Sequence, residues 1–171
     1  MKDSITTAAV RVLVSRGLNN WSVEEVAKKA GCAKGLVNYH HQSKEQLLRR
    51  AAETLRDARW SQRTEALSKN DPGALDSLWA ALLEEVRVGR FAAWLSLLAS
   101  PSLRDAAGGS HHSPAFVRAL ARALGLDDAL ETRSKTIEAG LDGLQLLLLQ
   151  GVPAPEVEEA YHRFLLVALD M

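Results

Sequence analysis

Apolar residues recur every three or four positions along almost the whole chain, which is the spacing of amphipathic helices. No segment alternates with the two-residue period of a strand. The first helical run stops at Gly17, a residue that commonly follows the last turn of a helix. The pattern predicts an all-α fold of about nine helices. The later helices are expected near residues 23–30, 34–41 and 44–67, from Pro72 to the interruption at Gly89, from Phe91 to before Pro101, and near residues 115–124, 127–150 and 155–168.

The second and third predicted helices are short and are joined by a glycine turn. Ser22 and Glu25 match a capping box at the start of the first of them, and Gly31 stands where a left-handed C-cap residue is wanted. Ser43 with Gln46 repeats the box and begins the next helix. Trp21 and Val26 fit a hydrophobic staple around the first cap, and Val37 is predicted to be core. This is the outline of a helix-turn-helix, and it makes double-stranded DNA the expected partner.

The segments between the later helices contain a cap, a helical turn and a loop. Asp71 and Pro72 are predicted to cap the fifth helix. A short helical turn is possible around residues 103–107, and residues 108–114 are predicted to form a loop that includes His111 and His112. These histidines lack further ligands at metal-binding spacing, so no metal site is predicted.

The composition is that of a soluble globular protein, with 47% hydrophobic and 25% charged residues. The single cysteine, Cys32, excludes an internal disulfide, fits a reducing compartment, and is predicted to be a small buried hydrophobe. The N-terminus does not have the pattern of a signal peptide, and no apolar run is long enough to cross a bilayer. We therefore expect a cytoplasmic protein without a membrane partner.

The net charge of zero hides an asymmetry between the two parts of the chain. Residues 1–50 contain nine Lys or Arg and four Asp or Glu, whereas residues 51–171 contain twelve and seventeen. The basic part contains the helix-turn-helix, where lysines and arginines can neutralise phosphates. We predict a DNA-binding domain over residues 1–50 and a C-terminal helical ligand-binding and dimerisation domain over residues 51–171.

No sequence motif indicates catalysis. The chain has no glycine-rich phosphate loop, no nucleophile elbow and no metal-ligand signature, so neither an enzyme nor a cofactor is predicted.

Two further sets of residues are candidates for function in the C-terminal part. Large aromatic side chains could line an apolar ligand pocket, with ordinary core packing as the alternative, namely Trp60, Trp79, Phe91, Trp94 and Phe116. The helix that ends near Gln150 is apolar on almost every side, which favours packing against a second subunit as well as its own domain. With the last helix of each subunit it would form a four-helix dimer interface through Ile137, Leu141, Leu144, Leu148, Tyr161, Phe164 and Leu165. A monomer with a deeply buried helix is the alternative.

The motif residues resemble the TetR family of transcriptional regulators. The resemblance is carried by Gly17 and by the runs Ser22-Val23-Glu24-Glu25-Val26-Ala27, Ala30-Gly31-Cys32-Ala33-Lys34-Gly35, Leu36-Val37-Asn38-Tyr39-His40-His41 and Ser43-Lys44-Glu45-Gln46-Leu47. It implies an N-terminal DNA-binding domain and a helical C-terminal domain that dimerises and often binds a small molecule. The chain departs from the family pattern at Ala33, where a serine would cap the recognition helix, and at His41, where a phenylalanine would fill the core.

The recognition helix is the second helix of the motif, and its side chains are expected in the major groove. Lys34 is predicted to contact a guanine edge or a phosphate. Asn38 and Leu36 are predicted to contact base edges, with Gly35 allowing a close backbone approach. The resemblance assigns Tyr39 and His40 to the DNA backbone. Phosphate contacts are also predicted for Ser22, the uncapped amides after Ala33, and Lys44.

These residues predict a homodimeric repressor that binds a pseudo-palindromic operator and is released by an apolar small molecule. The alternative is a protein-interaction module that has the TetR-like fold but binds DNA weakly or not at all.

Overall fold

The computed structural model describes residues 1–68, 73–108, 113–125 and 134–170. Residues 168–170 are described by their backbone alone. These residues form ten α-helices and contain no strand, which confirms the all-α prediction. The helices are α1 Lys2–Arg16, α2 Val23–Ala30, α3 Lys34–His40, α4 Lys44–Ser68, α5 Ala74–Arg87, α6 Arg90–Ala99, α7 Arg104–Gly108, α8 Pro114–Ala123, α9 Ser134–Leu149 and α10 Ala154–Asp170.

The helix beyond the nine that were predicted is α7, which forms where the sequence indicated only a helical turn. Its short length explains why it was not counted, because five residues are too few for a clear helical repeat. The predicted cap at Asp71 and Pro72, the first residues of the predicted 127–150 helix, and His111 with His112 lie outside the described residues.

The chain divides into two compact units. The first contains Met1–Ala58 and Val88–Ser110, and the second contains Arg59–Arg87 and His111–Met171. The functional boundary that we predict at residue 50 is a separate matter and stays a prediction.

The first unit has its own apolar core, built from α1 to α3, the first part of α4, α6 and α7. Ile5, Leu13, Val26 and Leu55 are fully buried there, and Leu97 joins them from α6. Burial of such aliphatic side chains contributes roughly 1.5–3 kcal/mol each, which is why short helices such as α2 and α3 are stable in this setting.

The second unit is built around α9 and α10, which pack against each other and against α5. Gly140 is a point of close approach, because a Cβ atom placed there would overlap the ring of Phe164 in α10. Tyr161 is fully buried, and its hydroxyl donates a hydrogen bond of 2.8 Å to the carbonyl of Leu75. Burial raises the pKa of this hydroxyl well above its ordinary value, so Tyr161 serves as a neutral donor in the core.

Candidate nucleic-acid interface

The turn between α2 and α3 has the geometry that the sequence predicts. Ser22 caps α2 by accepting a hydrogen bond of 3.2 Å from the amide of Glu25. Gly31 ends the helix at φ 66° and ψ 34°, the left-handed region in which glycine is favoured. The amide of Cys32 then bonds back to the carbonyl of Ala27 at 3.0 Å, so the chain reverses sharply. Cys32 itself is half-buried against the core.

Trp21 holds the helix-turn-helix onto α1. Its ring is 2% exposed, and its Nε1 donates a hydrogen bond of 3.1 Å to the carbonyl of Ala9. Val26 and Val37 are buried in the same core, which confirms that they are scaffold residues. With Trp21 in the core, the outer surface of α3 is formed by other side chains.

The structure places the predicted DNA-contacting residues of α3 on or near the surface. Gly35, Asn38 and Tyr39 are exposed, Tyr39 to 80%, while Leu36 and His40 are half-buried. The rings of Tyr39 and His40 meet edge to face with centroids 5.3 Å apart. We call the exposed and half-exposed residues of α3 (Lys34, Gly35, Leu36, Asn38, Tyr39 and His40) the reading face. Their contact with DNA stays a prediction.

Three cationic side chains surround this region, and each has a partner within the chain. Lys34 forms an ion pair and hydrogen bond with Glu24 of α2. Arg16 lies 3.7 Å from the carboxylate of Glu25. Lys44, at the start of α4, places its Nζ 5.7 Å from the centroid of the Trp21 ring, within the range of a cation–π contact.

The N-terminus of α3 has no side-chain cap. Ala33 takes the extended conformation of an N-cap residue, with φ −71° and ψ 144°, but it has no side-chain oxygen to accept a hydrogen bond. Its position is exposed. The first-turn amides of α3 are therefore suited to an external acceptor such as a phosphate oxygen.

His41 fills the core position where the resemblance expects phenylalanine. It is 2% exposed, and its Nε2 is buried without a hydrogen-bond partner. Burial lowers its pKa below the ordinary value of 6.5, and the positive charge of Lys2 lowers it further, while a hydrogen bond with the Lys2 backbone opposes both. The imidazole is thus a neutral core group, and α3 forms despite the substitution.

The aromatic residues predicted to line a pocket belong to different parts of the fold. Phe91 and Trp94 lie in the first unit with ring centroids 5.7 Å apart, and the indole of Trp94 donates to the carbonyl of Ala107 at 3.1 Å. Trp60, Trp79 and Phe116 lie in the second unit, where Trp60 and Phe116 are 5.4 Å apart. A ligand pocket formed by these residues stays a prediction.

Most residues predicted for a dimer interface are buried within their own chain. Ile137, Leu141, Leu144, Tyr161 and Leu165 are at most 8% exposed, while Leu148 and Phe164 are half-buried. A side chain that is enclosed by its own core offers little surface to a partner. The apolar side chains that α9 and α10 leave exposed are others, namely Leu146, Leu147, Leu149, Leu166 and Val167. We call these five the exposed apolar set.

A buried polar cluster in the second unit was missed at the sequence level. Arg59 and Arg63 of α4 meet Glu85 of α5 and Asp142 and Gln145 of α9. Nη2 of Arg63 is 2.9 Å from Asp142 Oδ1 and 2.7 Å from Gln145 Oε1. Spacing could have revealed the arginines, because they continue the buried positions Leu55 and Leu67 at intervals of four residues.

The two arginines keep the carboxylate of Glu85 ionised. Burial alone would raise the pKa of Glu85, but Arg59 and then Arg63 outweigh it, so the pKa is lowered. Gln145 completes the cluster by donating to the Leu82 carbonyl and to Glu85, each at 2.9 Å. Two cations and two carboxylates thus offset one another at the junction of three helices.

Two other expectations can be compared with the described residues. None of their helices is both long enough and apolar enough to span a membrane. Nor do they bring together three or more His, Cys, Asp or Glu side chains in a way that could hold a metal ion.

Residues 5–51 match the family described as bacterial regulatory proteins, tetR family. No curated protein matches the chain significantly. This match covers α1 to α3 and the beginning of α4, which is the region that contains the reading face.

Solved structures match nearly the whole chain. A putative TetR-family transcriptional regulator from Rhodococcus sp. is 26% identical, with 98% of this chain and 97% of that chain covered and a TM-score of 0.71. A transcriptional regulator from Rhodococcus sp. Rha1 is 28% identical, with coverage of 94% and 91% and a TM-score of 0.65. The multidrug binding protein EbrR, complexed with imidazole, is 25% identical, with coverage of 95% and 93% and a TM-score of 0.63.

The match over the helix-turn-helix and the whole-chain similarity to regulators of the same fold agree with the geometry of α2 and α3. Residues 5–51 are the DNA-binding domain of the TetR family, and the chain has the fold of solved TetR-family transcriptional regulators, which supports its description as a DNA-binding regulator.

Proposed function

We propose that the protein is a homodimeric repressor that binds a pseudo-palindromic operator and is released by an apolar small molecule. The reading face is the observation that carries this proposal. It combines an uncapped helix N-terminus with exposed Lys34, Asn38 and Tyr39. The amides suit a phosphate, the lysine suits a guanine edge or a phosphate, and the asparagine suits the adenine edge in the major groove.

The experiment is selection of the wild-type protein on random duplex DNA, followed by footprinting of the enriched sequence. We expect a symmetric site whose half-sites lie about one helical turn apart, because a two-fold dimer places two recognition helices on one side of the duplex. Reporter expression from a promoter that carries the site should fall when the protein is present. An enriched sequence without symmetry would contradict the dimeric form of the proposal.

Two substitutions distinguish a contact with a base from a contact with a phosphate. Asn38→Ala should relax the preference at one base position per half-site, at a cost of about 1–3 kcal/mol. Lys44→Ala should weaken binding to all sequences and reduce the salt slope by about one unit, because Lys44 is assigned to phosphate. A uniform loss from both substitutions would contradict the assignment of Asn38 to a base.

Dimerisation is supported by the exposed apolar set, which the other residues described by the structure leave uncovered on α9 and α10. Leu166 is 63% exposed and Val167 is 58% exposed, unusually open for apolar side chains in the C-terminal part of a helix. Half-buried Leu148 lies between Leu147 and Leu149, and half-buried Phe164 lies two residues before Leu166. We assign the dimer interface to the exposed apolar set together with these two side chains.

Release by a small molecule is supported by the similarity to EbrR, a multidrug binding protein. Trp60 and Phe116 in the second unit are aromatic residues of the kind that line apolar ligand sites. A thermal-shift screen with apolar aromatic compounds tests the proposal, followed by measurement of operator affinity with each stabilising compound. A true inducer lowers operator affinity, since a ligand acts only through different affinities for the two states.

The interaction-module alternative depended on Ala33 and His41. Both are accommodated, because α3 begins at Lys34 without a side-chain cap and His41 is enclosed by the core. The random-DNA selection separates the two functions, since an interaction module would enrich no sequence.

A further inference from the structure

Glu24 places a carboxylate beside the reading face. It lies in the first turn of α2 and pairs with Lys34, which lies in the first turn of α3. Both side chains are open to solvent, with 55% of Lys34 and 63% of Glu24 exposed. The hydrogen bond from Lys34 is the main reason that the pKa of Glu24 is lowered, so the carboxylate is ionised at neutral pH.

Stability does not account for this pair. Exposed ion pairs contribute little to folding, since solvent and salt screen them and two flexible side chains must be ordered. An anion at this place is also unfavourable for general DNA binding, because it repels phosphates and occupies a lysine that could neutralise one. A role in the recognition of a DNA sequence would account for the pair.

The two side chains together present a donor next to an acceptor. Lysine donates to guanine O6 or N7, and glutamate accepts from the N4 amino group of cytosine. In the major groove these groups lie next to each other on one G·C base pair. A paired lysine and glutamate thus matches that edge, whereas a phosphate satisfies only the lysine and meets the carboxylate with like charge.

We propose that Glu24 is a specificity-determining residue, which reads cytosine while Lys34 reads guanine and which discourages binding to other DNA. This inference rests on the proposed operator binding, in which Lys34 contacts DNA. It adds a residue of α2 to the contacts predicted for α3.

The test compares Glu24→Gln with the matched control Glu25→Gln. Both variants remove one carboxylate from the first turn of α2, but Glu25 faces Arg16 at 3.7 Å rather than Lys34. Each protein is titrated with the operator selected by the wild type, with every single-base-pair variant of one half-site, and with a random duplex over a range of salt. Thermal denaturation of each variant verifies that it is folded.

For Glu24→Gln we expect discrimination at one G·C pair per half-site to fall about 5- to 150-fold. Affinity for the random duplex should rise about fivefold near 0.1 M salt, and the salt slope should steepen by about one unit per DNA-binding domain, because Lys34 is released to a phosphate. The Glu25→Gln control should keep the wild-type discrimination. Glu24→Ala should behave like Glu24→Gln, since the carboxylate is what reads the base.

Equal behaviour of Glu24→Gln and Glu25→Gln, with sequence preference intact in both, would overturn the role of Glu24 and leave the proposed function standing. A wild-type protein that enriches no sequence would instead refute both, and the selection step reveals that outcome before any variant is made.

Discussion

Single residues in the helix-turn-helix divide into anchors and readers according to burial. Trp21 and His41 are enclosed by the core, whereas Asn38 and Tyr39 face solvent less than one turn of α3 away. His41 is unusual among the anchors because it is a titratable group with a buried nitrogen that has no partner. Such a group costs stability, and its cost depends on pH.

His41 should make folding of the first unit sensitive to acid. Its pKa is lower in the folded chain than the ordinary value of 6.5, so the unfolded chain takes up a proton first as the pH falls. The stabilisation is complete above that value and is lost as the pH falls through the folded pKa. We expect His41→Phe to flatten the dependence of the free energy of unfolding on pH below about 6.5 and to raise it by about 1 kcal/mol at pH 7.

Urea unfolding at a series of pH values measures this effect. His40→Asn is the control, because it changes the neighbouring half-exposed histidine and keeps His41, so the loss of stability in acid should persist. A His41→Phe profile parallel to that of the wild type would contradict the assignment.

The sequence was sufficient for the backbone of this region but not for its side-chain pairing. Capping and turn signals are local, so Ser22 and Gly31 could be assigned correctly from their neighbours alone. The partner of Lys34 could not, because Glu24 is ten residues away and its approach depends on how α2 and α3 cross.

At the scale of helices, close packing and buried charge hold the second unit together. Gly140 allows α9 and α10 to touch, and Glu85 joins α4 to α5 and α9 through the arginines. For each of these residues, a residue of the same type at an exposed position can be substituted as a control, so the contribution of the contact can be measured.

Gly140→Ala should destabilise the protein by about 1–3 kcal/mol, because the new methyl group would displace the Phe164 ring from α9. Gly143→Ala is the control, since nothing lies within 4 Å of a Cβ atom there. It should gain up to about 1 kcal/mol from helix propensity. Thermal unfolding of both variants distinguishes an effect of packing from an effect of helix propensity. Equal shifts of the two melting temperatures would contradict the packing effect at Gly140.

Glu85→Gln should cost about 3–5 kcal/mol, because it leaves two buried arginines facing a single carboxylate. Glu159→Gln removes the same charge from an exposed pair with Arg163 and should change stability by less than about 0.5 kcal/mol. Urea unfolding of both variants measures the difference. A small loss for Glu85→Gln would mean that water compensates the cluster.

Periodicity predicted most helices because each buries one apolar face, and this rule applies wherever the face is made of apolar residues. It failed for Arg59 and Arg63, which occupy core positions of α4 although arginine is usually a surface residue. Leu141 and Leu144, which periodicity assigned to a partner subunit, are buried in α9 where it packs against α5 and α10, and their part in a dimer interface stays a prediction. Which neighbour covers an apolar face is a tertiary property, and one sequence does not contain it.

At the scale of the whole molecule, the exposed apolar set connects the fold to the expected two-fold assembly. Leu166→Glu should dissociate the dimer, because it places a charge on the most exposed side chain of the exposed apolar set. Sedimentation should then show monomers, and operator affinity should fall in parallel. Ser61→Glu adds the same charge to an exposed position of α4 and should leave both measurements unchanged. Dimers that persist in Leu166→Glu would place the interface elsewhere.

The first unit is discontinuous in the chain, and this limits how its operator specificity can be transferred to another protein. Leu97 and Ala107 complete its core from residues 88–110, and Arg49 bonds to the carbonyl of Ser102 at 3.0 Å. A chimera cut at residue 50 or 58 would expose the apolar face that these residues cover. Exchange of operator preference between relatives therefore requires a two-part graft, in which the α6–α7 segment travels with the first 58 residues.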